Sequence, residues 1–184
     1  MTRKIYTQGY FDGACFLYSI ANCYSALTGE RVSQTSWDRA ITSVPFMQNF
    51  MGSQGTDGIE NNIILCILEN FLSKLTSKYE FVIKKERMTT LSNAITKESV
   101  TIFAIIGDTD NQQELDHWVC GVGAQNESIM IACSWIGCDN VQYRENKDPI
   151  TGRWYNDKIR LGPAIVEDYI YSITKKGQNI YEAT

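Results

Sequence analysis

The run from Cys15 to Leu27, CFLYSIANCYSAL, constrains this chain more than any other stretch. Read at helical period, it puts Phe16, Ile20, Cys23 and Leu27 on one face and Leu17, Ala21 and Tyr24 on the next. A helix apolar nearly all round has no side to offer water, so other elements must cover most of its circumference. Gly29 stands where such a helix stops. At 184 residues and 43% hydrophobic, the chain has enough material for one core of this kind, and a single domain over 1–184 is expected.

The covering elements can be read along the chain. A second helix is expected over Thr35 to Thr42, ending before Pro45. The glycine-rich MGSQGTDG at 51–58 leads into a long amphipathic helix, with Ile59, Ile63, Cys66, Ile67 and Phe71 at helical spacing and Asp57 as its candidate N-cap. Then the period changes. EFVIKK reads as a strand, MTTLSNAIT as helical and SVTIFAIIGD as a buried strand. HWVCGVGAQN and SIMIACSW form a hairpin across Gln125–Glu127. DKIRLGP and YIYSITKK are strand candidates, with a helical turn at PAIVED between them. Helices fill about 1–77 and strands 78–184, an α+β arrangement whose two parts face each other.

Several function classes are argued against. The net charge is −4, and Lys84, Lys85 and Arg87 are offset by Glu80 and Glu86, so nucleic acid is not the expected partner. The longest apolar run, IILCIL at 63–68, is too short to span a membrane, and the N-terminus lacks the apolar core of a signal peptide. Cysteines at 15, 23, 66, 120, 133 and 138 include no CxxC pair and accompany one histidine, which argues against zinc and for free thiols in a reducing cytosol. No phosphate-loop lysine follows the glycine run, no GxSxG occurs, and the acidic residues Asp108, Asp110, Glu114 and Asp116 lack calcium-loop spacing. No metal or organic cofactor is expected.

Two residues carry the chemistry. A thiol attacks as the thiolate, and a helix N-terminus or an adjacent imidazolium raises its ionised fraction. Cys15 opens the helix behind the small residues Gly13 and Ala14, while Asp12 opposes ionisation unless it turns away to cap the helix. The alternative is a thiol that only packs. His117, the chain's one histidine, heads a strand after a polar loop, with Gly121 and Gly123 leaving room for backbone or ligand. Its alternative is an exposed loop histidine without a role.

Taken in order, Gln8, a cysteine opening a buried helix, a glycine loop before a second helix, a histidine-led strand and a terminal Ser134–Trp135 resemble the papain-like cysteine proteases. The compact layout, from Gln8 to Trp135, is similar to bacteriocin-processing peptidase domains. The resemblance implies a Cys15–His117 dyad, with the Gln8 amide and the Cys15 N–H holding the oxyanion. Gln8 lies one residue farther from the cysteine than the family commonly has it, which puts an extra residue within Phe11 to Gly13. Where the family has the Asn of NSW, this chain has CSW, so Cys133 takes the place of the residue that orients the imidazole, with Ser134 beside it. A serine hydroxyl, a backbone carbonyl, or Asp116, Asp139 or Asn140 from a folded-back loop are alternative orienters. Trp135 resembles the indole that shields the histidine, its plain alternative being a core aromatic. Gly52 and Gly55 resemble the segment that binds substrate backbone, the alternative being a helix-entry turn; Trp118 and Trp135 are counted with them as substrate-binding. The implied function is a cytosolic thiol hydrolase cleaving a peptide or isopeptide-type amide of a peptide or protein substrate. The alternatives are an inactive module that binds a partner protein in the same cleft, and a thioester acyltransferase.

Overall fold

Helix α1, Cys15–Thr28, is entered directly from a 3-10 turn at Asp12–Ala14 and ends at Gly29. Gly29 takes φ 72°, and its N–H returns to the Ser25 carbonyl at 2.9 Å. Both expected apolar faces are buried, so α1 is the central helix of the molecule. The computed structural model describes residues 3–8, 12–52, 54–106, 117–135 and 144–178. The acidic loop with Asp108, Asp110, Glu114 and Asp116, and the alternatives Asp139 and Asn140, lie outside those residues, as do Phe11 and Cys138.

Around α1 pack α2 (Gln34–Ile41), the short α3 (Met47–Met51) and α4 (Asn61–Leu75). The Ser33 hydroxyl caps α2 by accepting the Ser36 N–H at 3.1 Å. Helix α4 corrects the sequence reading twice. It begins at Asn61, beyond Asp57, and its buried stripe is Ile64, Ile67, Leu68, Phe71, Leu72 and Leu75, leaving Cys66 exposed. Residues 63–68 are all apolar, so local period does not choose a face there; packing on α1 and α2 does.

The second half supplies β1 (Tyr79–Lys85), α5 (Leu91–Ala94), β2 (Ser99–Ile105), β3 (His117–Gln125), β4 (Ser128–Cys133), β5 (Asn146–Lys147), β6 (Trp154–Tyr155), β7 (Asp157–Arg160) and β8 (Ile165–Gln178). Six strands form an antiparallel sheet in the order β1-β8-β2-β3-β4-β7, and β5 pairs with β6. The expected helical turn at PAIVED is instead the entry to β8, because Ile165 pairs with Ile105 and buries in the sheet. Alternation splits the sheet between two cores. Ile102, Trp118, Cys120, Met130 and Ala132 face α1, whereas Phe103, Val119, Ile129, Ile131 and Cys133 face the other way, with Leu91 of α5.

Helix α1 and strand β3 run side by side in the same direction. Ser19 Oγ donates to the Trp118 carbonyl at 2.8 Å. One turn on, Cys23 Sγ lies 3.8 Å from the carbonyl of Thr101, the residue paired with Gly121. Farther still, Arg153 bridges the carbonyls of Ala26 and Val122. Extended backwards by one helical turn, about 5.4 Å, this ladder brings Cys15 to the level where β3 begins, at His117. The glycines of β3 do not open the strand to a ligand: a Cβ on Gly121 would meet Thr101 Oγ1 at 2.4 Å, and one on Gly123 would meet Asp148 Cγ at 2.9 Å.

Candidate functional site

The turn that delivers Cys15 is held by the glycine loop. Gly13 N–H donates to the Gly52 carbonyl at 2.9 Å, and a Cβ on Gly13 would stand 2.3 Å from that oxygen and 2.6 Å from the Asn49 carbonyl. Only glycine permits this approach. Gly52 N–H in turn donates to Gln48, and Gly55 N–H to Asn49. The Gly52 N–H and carbonyl and the Gly55 N–H are thus engaged within the chain, where the resemblance implied pairing with substrate backbone. The loop ends at Gly58, two residues before Glu60, the N-cap of α4. No side chain caps α1 at Ala14, and Cys15 is buried at 6% exposure.

His117, expected in one reading to be an exposed loop residue, is 4% exposed at the first position of β3. Alternation places it with Val119 on the sheet face turned away from α1, at the first position of the strand. Its Nε2 lies 3.3 Å from Cys133 Sγ, and among the described residues its buried Nδ1 has no hydrogen-bond partner. The contacts of α1 with β3 run toward this same end, where Cys15 heads the helix and His117 heads the strand. Burial pushes the imidazole pKa down to about 4, because the charged form loses hydration and a neutral sulfur does not replace it. The Trp135 ring stands edge-on to His117, centroids 5.6 Å apart, and is 40% exposed. One side covers the imidazole while the other meets solvent.

Gln8 is 4% exposed, not a loose polar residue. Its N–H donates to the Ser134 carbonyl at 3.1 Å, and its Oε1 accepts from Ser134 Oγ at 2.9 Å. The Ser134 hydroxyl is therefore engaged by Gln8, and the sulfur of Cys133 is what meets the imidazole. Gln8, Ser134, Cys133 and His117 form one connected chain of contacts. Trp118 does not belong to it. At 1% exposure it packs on Phe16 and donates Nε1–H to Thr56 Oγ1 at 2.8 Å, inside the core and not at an open surface.

Sequence reasoning missed Asn156, between β6 and β7. Its Oδ1 accepts the Cys133 N–H at 2.8 Å and its Nδ2 donates to the Cys133 carbonyl at 2.9 Å. No motif marks it; only the pairing of β4 with β7 brings it there. Among the described residues no group of three or more His, Cys, Asp or Glu side chains could hold a metal ion. No helix among them is long and apolar enough to cross a membrane.

No family model matches the chain, and no curated relative does. Among solved structures, the crystal structure of the peptidase domain of Streptococcus ComA, a bifunctional ABC transporter involved in a quorum-sensing pathway, matches with a TM-score of 0.55 at 15% identity, covering 96% of this chain and 100% of that one. At that identity the likeness is one of fold. The chain shares the mixed helix and antiparallel-sheet fold of that peptidase domain.

Proposed function

We propose that this protein is a papain-like thiol hydrolase that cleaves a peptide or isopeptide-type amide of a peptide or protein substrate. The Cys15 sulfur attacks the carbonyl carbon while His117 Nδ1 takes the thiol proton, then returns it to the leaving amine as the C–N bond breaks. Water, deprotonated by the same nitrogen, resolves the thioester; an amine in its place would make the reaction acyl transfer. The Gln8 amide and the Cys15 N–H, at the positive end of α1, hold the oxyanion. Free thiols at Cys15, Cys23, Cys66, Cys120 and Cys133 suit a reducing, cytosolic setting.

One observation carries this reading. The chain's one imidazole is buried at the head of β3, with Nε2 against Cys133 and, among the described residues, no partner on Nδ1. Such hydrogen bonds are often loose before substrate binds. The test is covalent labelling by an electrophilic peptide probe. Labelling is expected at Cys15, absent in Cys15→Ala and strongly slowed in His117→Ala; unchanged labelling of Cys15→Ala rejects the assignment.

The depressed imidazole pKa favours a second reading, a binding module in the same cleft. Moving a proton from an ordinary thiol to a base of pKa about 4 costs about 6 kcal/mol. Peptide binding that is equal in the parent and Cys15→Ala proteins, with no product from either, supports the module.

A further inference from the structure

We infer that Asn156 is a positioning residue for His117, acting through Cys133, whose thiol takes the orienting place beside the imidazole. The catalytic consequence rests on the Cys15–His117 reading above; the structural one does not.

Strand β7 pairs with β4 only as far as Asp157 opposite Ile131. Asn156 carries the pairing farther by other means. Its main-chain N–H donates to the Ile131 carbonyl at 3.1 Å, and its side-chain amide then grips both peptide groups of Cys133, at 2.8 and 2.9 Å. A side-chain amide thus stands in for the missing strand residue. On the opposite side Cys133 is paired with Val119 of β3. The last residue of β4 is held from both edges, and its Sγ is delivered to a set position 3.3 Å from His117 Nε2.

That position decides where the imidazole keeps its proton. With Nε2–H directed at sulfur, Nδ1 carries the lone pair and is the base. With S–H directed at Nε2, the proton sits on Nδ1 and the base is lost. Sulfur is a weak acceptor, so the contact selects a tautomer only if its geometry is tightly held. The Asn156 amide is bonded to both peptide groups of Cys133 on that edge, so removing it loosens the sulfur's placement.

Nitrogen-15 NMR of the imidazole reads this directly, and one histidine in the chain makes the signal unambiguous. In the parent protein the Nε2–H tautomer is expected to dominate near neutral pH. Asn156→Ala should shift population toward Nδ1–H and lower kcat about 10- to 100-fold at unchanged KM. Asn156→Asp keeps the acceptor for the Cys133 N–H, loses the donor, and should fall between. Cys133→Asn, which supplies a stronger acceptor, should keep the Nε2–H tautomer and restore kcat in the Asn156→Asp background. Folded Asn156→Ala or Asn156→Asp protein with unchanged tautomer signals overturns the inference, whatever its activity. If Ala does not fold, the Asp variant decides. A parent protein without peptidase activity defeats the proposed function, while the NMR shift still tests the positioning.

Discussion

The two ends of α1 present similar side chains to the sheet and finish them in opposite ways. Toward the C-terminal end, Cys23 is sealed against Cys120, and burial first, then the neighbouring thiol, pushes its pKa up. Beside it the buried Arg153 donates to the main-chain carbonyls of Ala26, Thr96, Lys97, Ser99 and Val122, tying α1 to β3 and to the turn before β2. A cation there also suits the negative end of the helix dipole. At the N-terminal end, a thiol heads the helix and an imidazole keeps one nitrogen unpartnered among the described residues. The proposed function assigns the reactive thiol to the end where the helix dipole favours a thiolate, and the sealed thiol to the other.

The sharpest way to break that contrast is to remove the two sulfurs separately. Cys15→Ala should lower kcat/KM at least about 10⁴-fold with little change in melting temperature. Cys23→Ala should leave the rate intact and cost about 1–2 kcal/mol of stability through a small cavity. Equal rate losses in both variants would abolish the distinction between the ends.

Arg153 comes next. Arg153→Met strands several buried carbonyls and should destabilise by about 3–5 kcal/mol in urea unfolding. Arg153→Lys should recover only part, because one ammonium cannot reach carbonyls spread around a planar guanidinium. A parental midpoint for Arg153→Met would show that the clamp contributes nothing.

The imidazole makes the opposite end sensitive to pH. Its folded pKa, about 4, lies below the unfolded value near 6.5. The unfolded chain therefore binds the proton first as pH falls. Stability is fully present above pH 6.5 and declines by about 3 kcal/mol on the way to pH 4. Comparing pH-dependent unfolding of the parent with His117→Asn isolates this part; identical slopes would place the imidazole in water. The smallest expected effect is Gly13→Ala. Its methyl group would force the Gly52 carbonyl away and cost about 1–3 kcal/mol, with a larger proportional loss of rate because the Cys15 turn moves.

How much of this was legible follows from how local each cause is. The span and burial of α1, its Gly29 stop and the β3–β4 hairpin were readable because period and turn chemistry act within a few residues. In α4 the contiguous apolar run at 63–68 hid the buried face: Ile67 and Phe71 are buried as expected, but Ile64 and Leu68 take the places expected of Ile63 and Cys66. Of the two tryptophans expected at the substrate, Trp135 lies at the imidazole and Trp118 in the core, a difference set by alternation along strands whose facing the sequence did not reveal. Cys15 and His117 were named from their residue type and local position, and Gln8 from the order of parts. Asn156 was not, because its role exists only where β7 meets β4.

The amino-acid sequence by itself determined a buried central helix headed by a thiol, and one imidazole at the start of a later strand, since apolar period and residue identity are written locally. Tertiary structure alone decided which sulfur meets that imidazole and what holds it there. A contact of 3.3 Å depends on strand register across the sheet, and register is set by pairing between distant segments that no local pattern encodes.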